Sequence, residues 1–384
     1  MKLVSIEIIE VVVPANPGVV NSVGLNIPLH KLVSGADAAW TKQFDEFSKF
    51  MLIGTTDEGI IGFGESLRDT SLEVTKAMAR QLIGVDLTKL AWQALPLVKN
   101  REYDGFELLA LDLLGKRTGV SVSSLIGGAL RSEVNVGAWT SHRFAEDAGK
   151  VAQAAQERGA TSLKLKCDVH DDVGGIAQSV LDACGPNFGL IFDPNERFVE
   201  LRHAVKIAKD LEKVGNVICL EDPLPRWDLG SYAELRARTT VPIAVHVALG
   251  YIAHGQRISD VLTAITMRAT DVFNLSSGIG DFMRMAHIAD AAQRPYWHGS
   301  EVDLGIMEAG YVHVTAASHG GTLPSDIFGR HIRSSDLLIK GLELNGATVK
   351  VPTGPGLGVE LDLDAVDRHA ISHSTVSEEV KDYG

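Results

Sequence analysis

Three cysteines in 384 residues, Cys167, Cys184 and Cys219, lack any paired spacing, and an odd number excludes a closed disulfide framework. Their scarcity points to a reducing cytoplasm, with Cys167 and Cys219 as small apolar residues buried in strands. No run approaches the 18 or more apolar residues of a membrane span. The opening MKLVSIEIIEVVVP interrupts its apolar stretch with Glu7 and Glu10 and has no small-residue cleavage site, so it reads as an alternating strand rather than a signal peptide. Clustered Lys and Arg are also missing. With a net charge of −13 and a pI near 5.5, a nucleic-acid surface would have to act against the field of the whole molecule.

What the chain does have is length and apolar content. At 45% hydrophobic it can bury a large core, in one large domain or two. Up to about residue 130 the pattern is that of an antiparallel meander followed by helices. SIEIIEVVV and KFMLIGTTDEGIIGFGES read as strands around the turn Asp57-Glu58-Gly59, and helical periods cover 71–83 and 105–118. Between the outer strands, residues 15–40 are rich in Gly, Asn and Pro, and a loop of this length is more often a functional lid than idle.

From about residue 134 the rhythm becomes strand, helix, strand. VNVGAW, TSLKLK, GLIFD, VICLE, PIAVH, DVFNL, PYWH and the short TLPSD supply eight strand candidates, which specifies a parallel sheet closing into a barrel. The tail returns to β character, with an Asn345-Gly346 hairpin signal, and the last residues, SEEVKDYG, look frayed.

Acid, base and ligand-type side chains close these apolar runs at even intervals. Lys166, Asp193, Glu221 and His246 stand 25 to 28 residues apart, close to the roughly 30 of one strand-plus-helix unit. Carboxyl ends of barrel strands converge on one rim, so the spacing brings these groups together. Lys164 and Lys166, two apart in a strand, share a face, where burial and neighbouring cations depress an amine pKa toward that of a general base. Asp193 with Asn195, and Glu221 with Asp222, offer oxygen ligands for a hard cation such as Mg²⁺, which stabilises the charge left when a carboxylate substrate loses its α-proton. His298 ends the seventh strand, opposite the lysines, and there reads as an acid facing a base. Glu301 and Asp303 follow it, to contact the substrate or orient His298. Alone, each feature has a blander reading: a solvated strand edge for the lysines, helix caps for the acids, a structural imidazole for His298.

Taken in order, these motifs resemble the mandelate racemase and muconate-lactonising branch of the enolase superfamily. The resemblance runs from FMLIGTTDEGIIGFGES through LLALDLLGKRTGVSVSSLIGG to the KxK, DPN and EDP motifs and on to PTGPGLGVELD. It implies an α/β fold: a modified TIM barrel of the (β/α)7β type at 131–335, under an α+β capping domain formed by 1–130 and the returning segment 336–384. It also implies Mg²⁺ dependence, abstraction of the proton α to a carboxylate of a small molecule, an enediolate intermediate and a homo-oligomer. Carried over by position, Lys166 is the base and Lys164 its electrostatic partner. Asp193 and Glu221 become metal ligands, and His298 matches the histidine of the racemase and acid-sugar dehydratase type.

Two positions depart from the pattern. His246 stands where the family usually places a third carboxylate ligand, and as a softer ligand it favours Mn²⁺, Fe²⁺ or Zn²⁺ over Mg²⁺ if it binds at all. Ser276 stands where relatives carry a second catalytic Lys or the Asp that orients the His. Asn195, Ser276, Glu301 and His142 are the candidates for substrate contact. The expected activity is dehydration of a hydroxy-acid or acid sugar to a 2-keto acid, a lyase reaction. A racemase, epimerase or cycloisomerase is the alternative, and a member that only binds a sugar acid is a third.

Overall fold

A computed structural model describes residues 1–25, 27, 43–249 and 256–378. Most of the expected lid at 15–40 and of the frayed end therefore lies outside the described residues. The chain begins with strands β1 (Leu3–Val12), β2 (Ser48–Thr56) and β3 (Ile61–Glu65), then helices α1 (Leu72–Leu82), α2 (Tyr103–Thr118) and the single turn α3 (Val122–Leu125). Gly59 at φ +77° makes the tight reversal between β2 and β3. After β4 (Glu133–Asn135), seven parallel strands alternate with helices: β5 (Ala138–Thr140), α4 (Ala145–Glu157), β6 (Ser162–Lys166), α5 (Val173–Cys184), β7 (Gly189–Asp193), α6 (Leu201–Val214), β8 (Val217–Glu221), α7 (Leu229–Arg236), β9 (Ile243–Ala248), α8 (Ile258–Thr266), β10 (Val272–Ser276), α9 (Ile279–Ala291), β11 (Tyr296–His298) and α10 (Gly305–Ala316). The tail carries α11 (Gly329–Ile332), β12 (Leu344–Asn345), β13 (Thr348–Lys350), α12 (Leu363–His369) and β14 (Ala370–Ser377).

The strands form three sheets, ordered β14-β1-β2-β3, β11-β10-β9-β8-β7-β6-β5 and β12-β13-β4. The fold is thus a curled parallel sheet with helices outside and an α+β cap, as the family resemblance implies. The eighth strand expected at TLPSD is reduced to isolated bridges, Tyr296 to Gly321 on one side and Val136 to Ser325 on the other. The Asn345-Gly346 signal does form a hairpin, which pairs with β4, while β14 pairs with β1. Among the described residues no helix is long and apolar enough to cross a membrane.

Helix α2 joins cap to barrel. Twelve of its sixteen residues are buried, Asp104, Glu107 and Asp112 among them, so it is enclosed on all sides rather than along one stripe. Phe106, Leu109 and Leu113 pack into the core of the cap, and Leu108 and Leu111 into that of the barrel. A Cβ at Gly64 would run into the carbonyl of Gly105, so β3 and α2 meet backbone to backbone. Glu65, at the end of β3, accepts from Leu304 N at 2.7 Å and Met307 N at 2.9 Å and so caps α10 across the domain boundary, with Lys49 Nζ at 2.9 Å balancing its charge.

Period-two alternation then sorts the parallel strands. Leu163, Leu165, Leu190, Phe192, Leu220 and Leu275 face the helices, each burial contributing about 1.5–3 kcal/mol. Ile191, Cys219, Ala244, Val272 and Trp297 fill the floor of the interior. All three cysteines are free; Cys167 and Cys219 are buried.

Candidate active site

Above that floor the same inward faces become ionic. Lys164 and Lys166 stand on β6, Asp193 on β7, Glu221 on β8, His246 on β9, and Asn274 and Ser276 on β10. The ladders hold them level, Lys166 beside Asp193 and His246 beside Asn274. Lys164 Nζ bridges three carboxylates, 2.7 Å from Glu221 Oε2, 2.9 Å from Asp326 Oδ2 and 3.4 Å from Asp193 Oδ2. Lys166 Nζ lies 2.5 Å from Asp193 Oδ2, and its side chain is 11% exposed, more than any partner in this cluster. Six of the expected residues therefore do meet: Lys164, Lys166, Asp193, Glu221, His246 and Ser276.

Burial and charge push the two lysines apart. Burial would neutralise Lys164, but Asp326, Glu221 and Asp193 outweigh it and hold its pKa well above the ordinary lysine value. Lys166 goes the other way, pulled down by burial, with the Lys164 cation adding to the effect against the attraction of Asp193. Asp193 stays strongly ionised, since Lys166 and Lys164 overcome its desolvation. One lysine thus remains a fixed cation while the other moves toward the neutral amine a base must be.

The carboxylates exceed the cations around them. Asp193, Glu221, Asp222 and Asp326 are buried, with Lys164, Lys166 and Arg226 against them, Arg226 donating to Asp222 at 2.5 Å. Burial first, and then Asp193, push Glu221 up to about 8, and burial pushes Asp222 up to about 6. Glu221 accepts from Asn274 Nδ2 at 2.7 Å through Oε1; its Oε2 is paired with Lys164 but takes no directed hydrogen bond. His246 Nδ1 lies 3.6 Å from Glu221 Oε1, while Nε2 is 2.8 Å from Ser276 Oγ. Burial, aided by Arg226 and Lys164, keeps that imidazole neutral. In the tautomer that donates from Nε2 to Ser276, the Nδ1 lone pair turns toward the carboxylate, an arrangement suited to a shared cation.

Ligand-type atoms of Glu221, Asp222 and His246 all lie within 4.8 Å of one another. This group, with its under-bonded oxygen and surplus of negative charge, fits a divalent ion. Asp222, which the EDP motif offered beside Glu221, here stands in the group where the family pattern put Asp193, and the space between Asp193 and Glu221 holds the Lys164 ammonium.

His298 requires a correction. It is fully buried on the helix-covered face of β11, stacked on Tyr311 at 3.7 Å and on Phe282 at 4.4 Å between centroids. Nδ1 donates to Gly299 O at 2.7 Å, and burial pulls the imidazole pKa down to about 4. Trp297, one residue earlier, faces the interior instead. An imidazole outside the barrel wall cannot protonate a group bound within it, so the expected acid opposite the lysines is absent from this position.

A family model described as enolase C-terminal domain-like matches residues 146–365, more than half of the chain. The chain belongs to the enolase superfamily, in the mandelate racemase and muconate-lactonising family. A chloromuconate cycloisomerase from Cupriavidus necator is 27% identical over 352 residues, 83% of this chain and 90% of the relative. A probable glucarate dehydratase from Streptomyces coelicolor is 28% identical over 367 residues, 80% of this chain and 81% of the relative. Among solved structures, an N-succinyl Arg/Lys racemase from Bacillus cereus superposes with a TM-score of 0.82 at 20% identity, covering 98% of this chain and all of the other, a likeness of fold.

Within this enolase-superfamily member the remaining candidates are each held by partners of their own. Asn195 N donates to Asp193 Oδ1 at 3.0 Å from a left-handed backbone (φ +45°), and its buried side-chain oxygen takes no hydrogen bond. His142 is held by Arg197 Nη1 at 2.9 Å and lies 3.3 Å from Asp171, apart from the lysine cluster. Glu301 is bound to Arg101 at 2.9 Å, with Arg68 3.6 Å away, and Asp303 pairs with Lys49 and accepts from Tyr311 at 2.9 Å. Both acids tie the seventh-strand loop to the cap and leave His298 without a carboxylate orienter. Two interior residues escaped the sequence reading: Asp326, the acid that closes TLPSD, and Asn274, two before Ser276 and on its face. Strand-end position would have found the first and alternation the second.

Proposed function

We propose that this protein is a one-base, metal-assisted enzyme acting on the carbon α to a carboxylate, an isomerase of the cycloisomerase kind. The observation that carries the reading is the lysine pair facing Glu221, Asp222 and His246 while the imidazole of the opposite strand points out of the barrel. Lys166, as the free amine, removes or returns the α-proton. Lys164 remains an ammonium beside it and stabilises the negative charge that spreads onto the substrate carboxylate. In the ring-opening direction that electron pair expels a β-carboxylate of the same molecule, breaking the lactone C–O bond; in the reverse, the distal carboxylate adds to the double bond and Lys166 delivers its proton to the α-carbon. A carboxylate leaving group needs no proton, so the step balances without an acid across the barrel. Racemisation needs a second base on the opposite face, and the interior offers Ser276 and Asn274 there.

Glu221 and His246, with Asp222 or Asp193, are the residues to hold a divalent ion, which when bound would supply Lewis-acid stabilisation of charge on the substrate carboxylate. Mg²⁺ is the family expectation, and the imidazole favours a softer ion. Dehydration is the second reading, favoured by the dehydratase relative and by the inward His246, which would have to serve as acid through Nε2 or Ser276. The substrate is a small carboxylate, and a cytoplasmic homo-oligomer goes with this assignment. Incubation in D₂O with unsaturated dicarboxylates of the chloromuconate kind, their lactones and acid sugars distinguishes the outcomes by NMR. Lactone formation or opening with a single deuterium on one face supports the proposal. Formation of 2-keto acids replaces it with the lyase, and loss of stereochemistry at the α-carbon overturns the one-base mechanism.

A further inference from the structure

The barrel wall is incomplete where its eighth unit should be. The segment after α10, at TLPSD, makes only isolated bridges, and the helix that follows it is the single turn α11. One flank of α4 and the outer face of β5 thus lack a full helix to cover them. A cavity of about 200 Å³ lies there, walled by Val136, Ala155, Leu163, Ile327 and the stacked pair Trp139 and Phe328, whose centroids are 5.3 Å apart. For scale, a closed apolar cavity of roughly 150 Å³ holds benzene.

Its charged lining is all of one sign. Arg143 is 8% exposed, and it donates from Nε to Thr140 Oγ1 at 2.7 Å and from Nη2 to the carbonyls of Gly18 at 2.9 Å and Val19 at 2.5 Å. Among the described residues no carboxylate pairs with it directly; Asp147 acts on it only through space. At the other end of α4 the exposed Arg158 lines the same cavity beside His331, again without an ion-pair partner among the described residues. Burial, Arg158 and Arg330 together disfavour protonation of His331, so positive charge is crowded there. A buried cation whose direct hydrogen-bond partners are all neutral, at an apolar cavity, is the arrangement an anionic headgroup would complete.

We propose that this cavity is a second binding site, separate from the barrel interior, for a small hydrophobic carboxylate. The apolar body lies against Trp139, Phe328 and Ala155, and the carboxylate meets Arg158 beside His331, with Arg143 at the far end of the same cavity adding to its positive field. Leu163 faces the cavity and Lys164 the catalytic interior, so the β6 backbone divides the two sites. Ile327, in its wall, directly follows Asp326, which holds Lys164.

Titration calorimetry with benzoate, and with benzyl alcohol as a neutral aromatic of similar size, tests the site on the full chain, with the His331 pKa followed by NMR. The carboxylate is expected to bind about tenfold more tightly than the alcohol, as a charge-assisted hydrogen bond allows, and to raise the His331 pKa. Ala155→Phe fills the cavity and should abolish both effects, while Arg158→Glu, a surface change that spares the core, should weaken benzoate about two- to fivefold. Lys166→Ala should leave them in place, which separates this site from the catalytic one. Absence of saturable benzoate binding, equal affinity for benzoate and benzyl alcohol, or binding undiminished in both cavity variants would each overturn the proposal.

Discussion

At the scale of single residues, the chemistry rests on two lysines that share a face and differ in charge. Lys164 is locked as a cation by three carboxylates, so Lys164→Met should strand that surplus negative charge and cost about 3–5 kcal/mol, read as a shift in the denaturation midpoint. His298 gives the sharpest contrast between sequence and structure. Being packed between Phe282 and Tyr311, it should tolerate His298→Asn with α-proton exchange within a few-fold of wild type, at a stability cost of about 1–3 kcal/mol. A drop in exchange of a hundredfold with the fold intact would return His298 to the mechanism. His246→Asp replaces an imidazole by a hard oxygen ligand. Metal titrations should then show Mg²⁺ gaining on Mn²⁺ and Zn²⁺, and unchanged relative affinities would mean that His246 is not a ligand.

At the scale of elements, legibility followed the alternation of side chains. SLKLK shows its two faces openly, leucines outward and lysines inward, and PIAVH and GLIFD end on inward groups in the same way. PYWH does not: in a strand buried on both sides every residue is large and apolar, so nothing in the sequence says which face His298 takes, and an offset of one residue reverses it. The junction between α2 and α9 has its own signature. Glu107 accepts from Gly280 N at 3.2 and 3.3 Å, with Asp104 beside it. Burial first, then Asp104, push the Glu107 carboxyl up to about 8 from an ordinary 4.5, and Asp104 itself is pushed up to about 7. Between pH of about 4.5 and 8 the folded form keeps a proton that the unfolded chain has lost, so this contact loses stability as pH rises. Denaturation midpoints at about pH 5 and 8.5 should converge in Glu107→Gln relative to wild type; an unchanged difference would mean that Glu107 titrates normally.

At the scale of the whole molecule, the order and spacing of motifs carried the barrel, the cap and the family, because a strand-and-helix repeat dictates which strand ends meet on one rim. Less legible was what depends on three-dimensional pairing: the placement of Lys164 among three carboxylates, the distance of Asp193 from the metal-type group, and the open seam beside α4. The proposed mechanism turns on Lys166 as the single base. The direct measurement is washout of substrate α-deuterium into H₂O, by wild type and by Lys166→Ala, each loaded with a divalent metal and each shown to be folded. With Lys166 as the base, washout is rapid in wild type and falls by about 10²–10⁴-fold or more in the variant, with metal affinity retained. Washout at the wild-type rate in Lys166→Ala would contradict it.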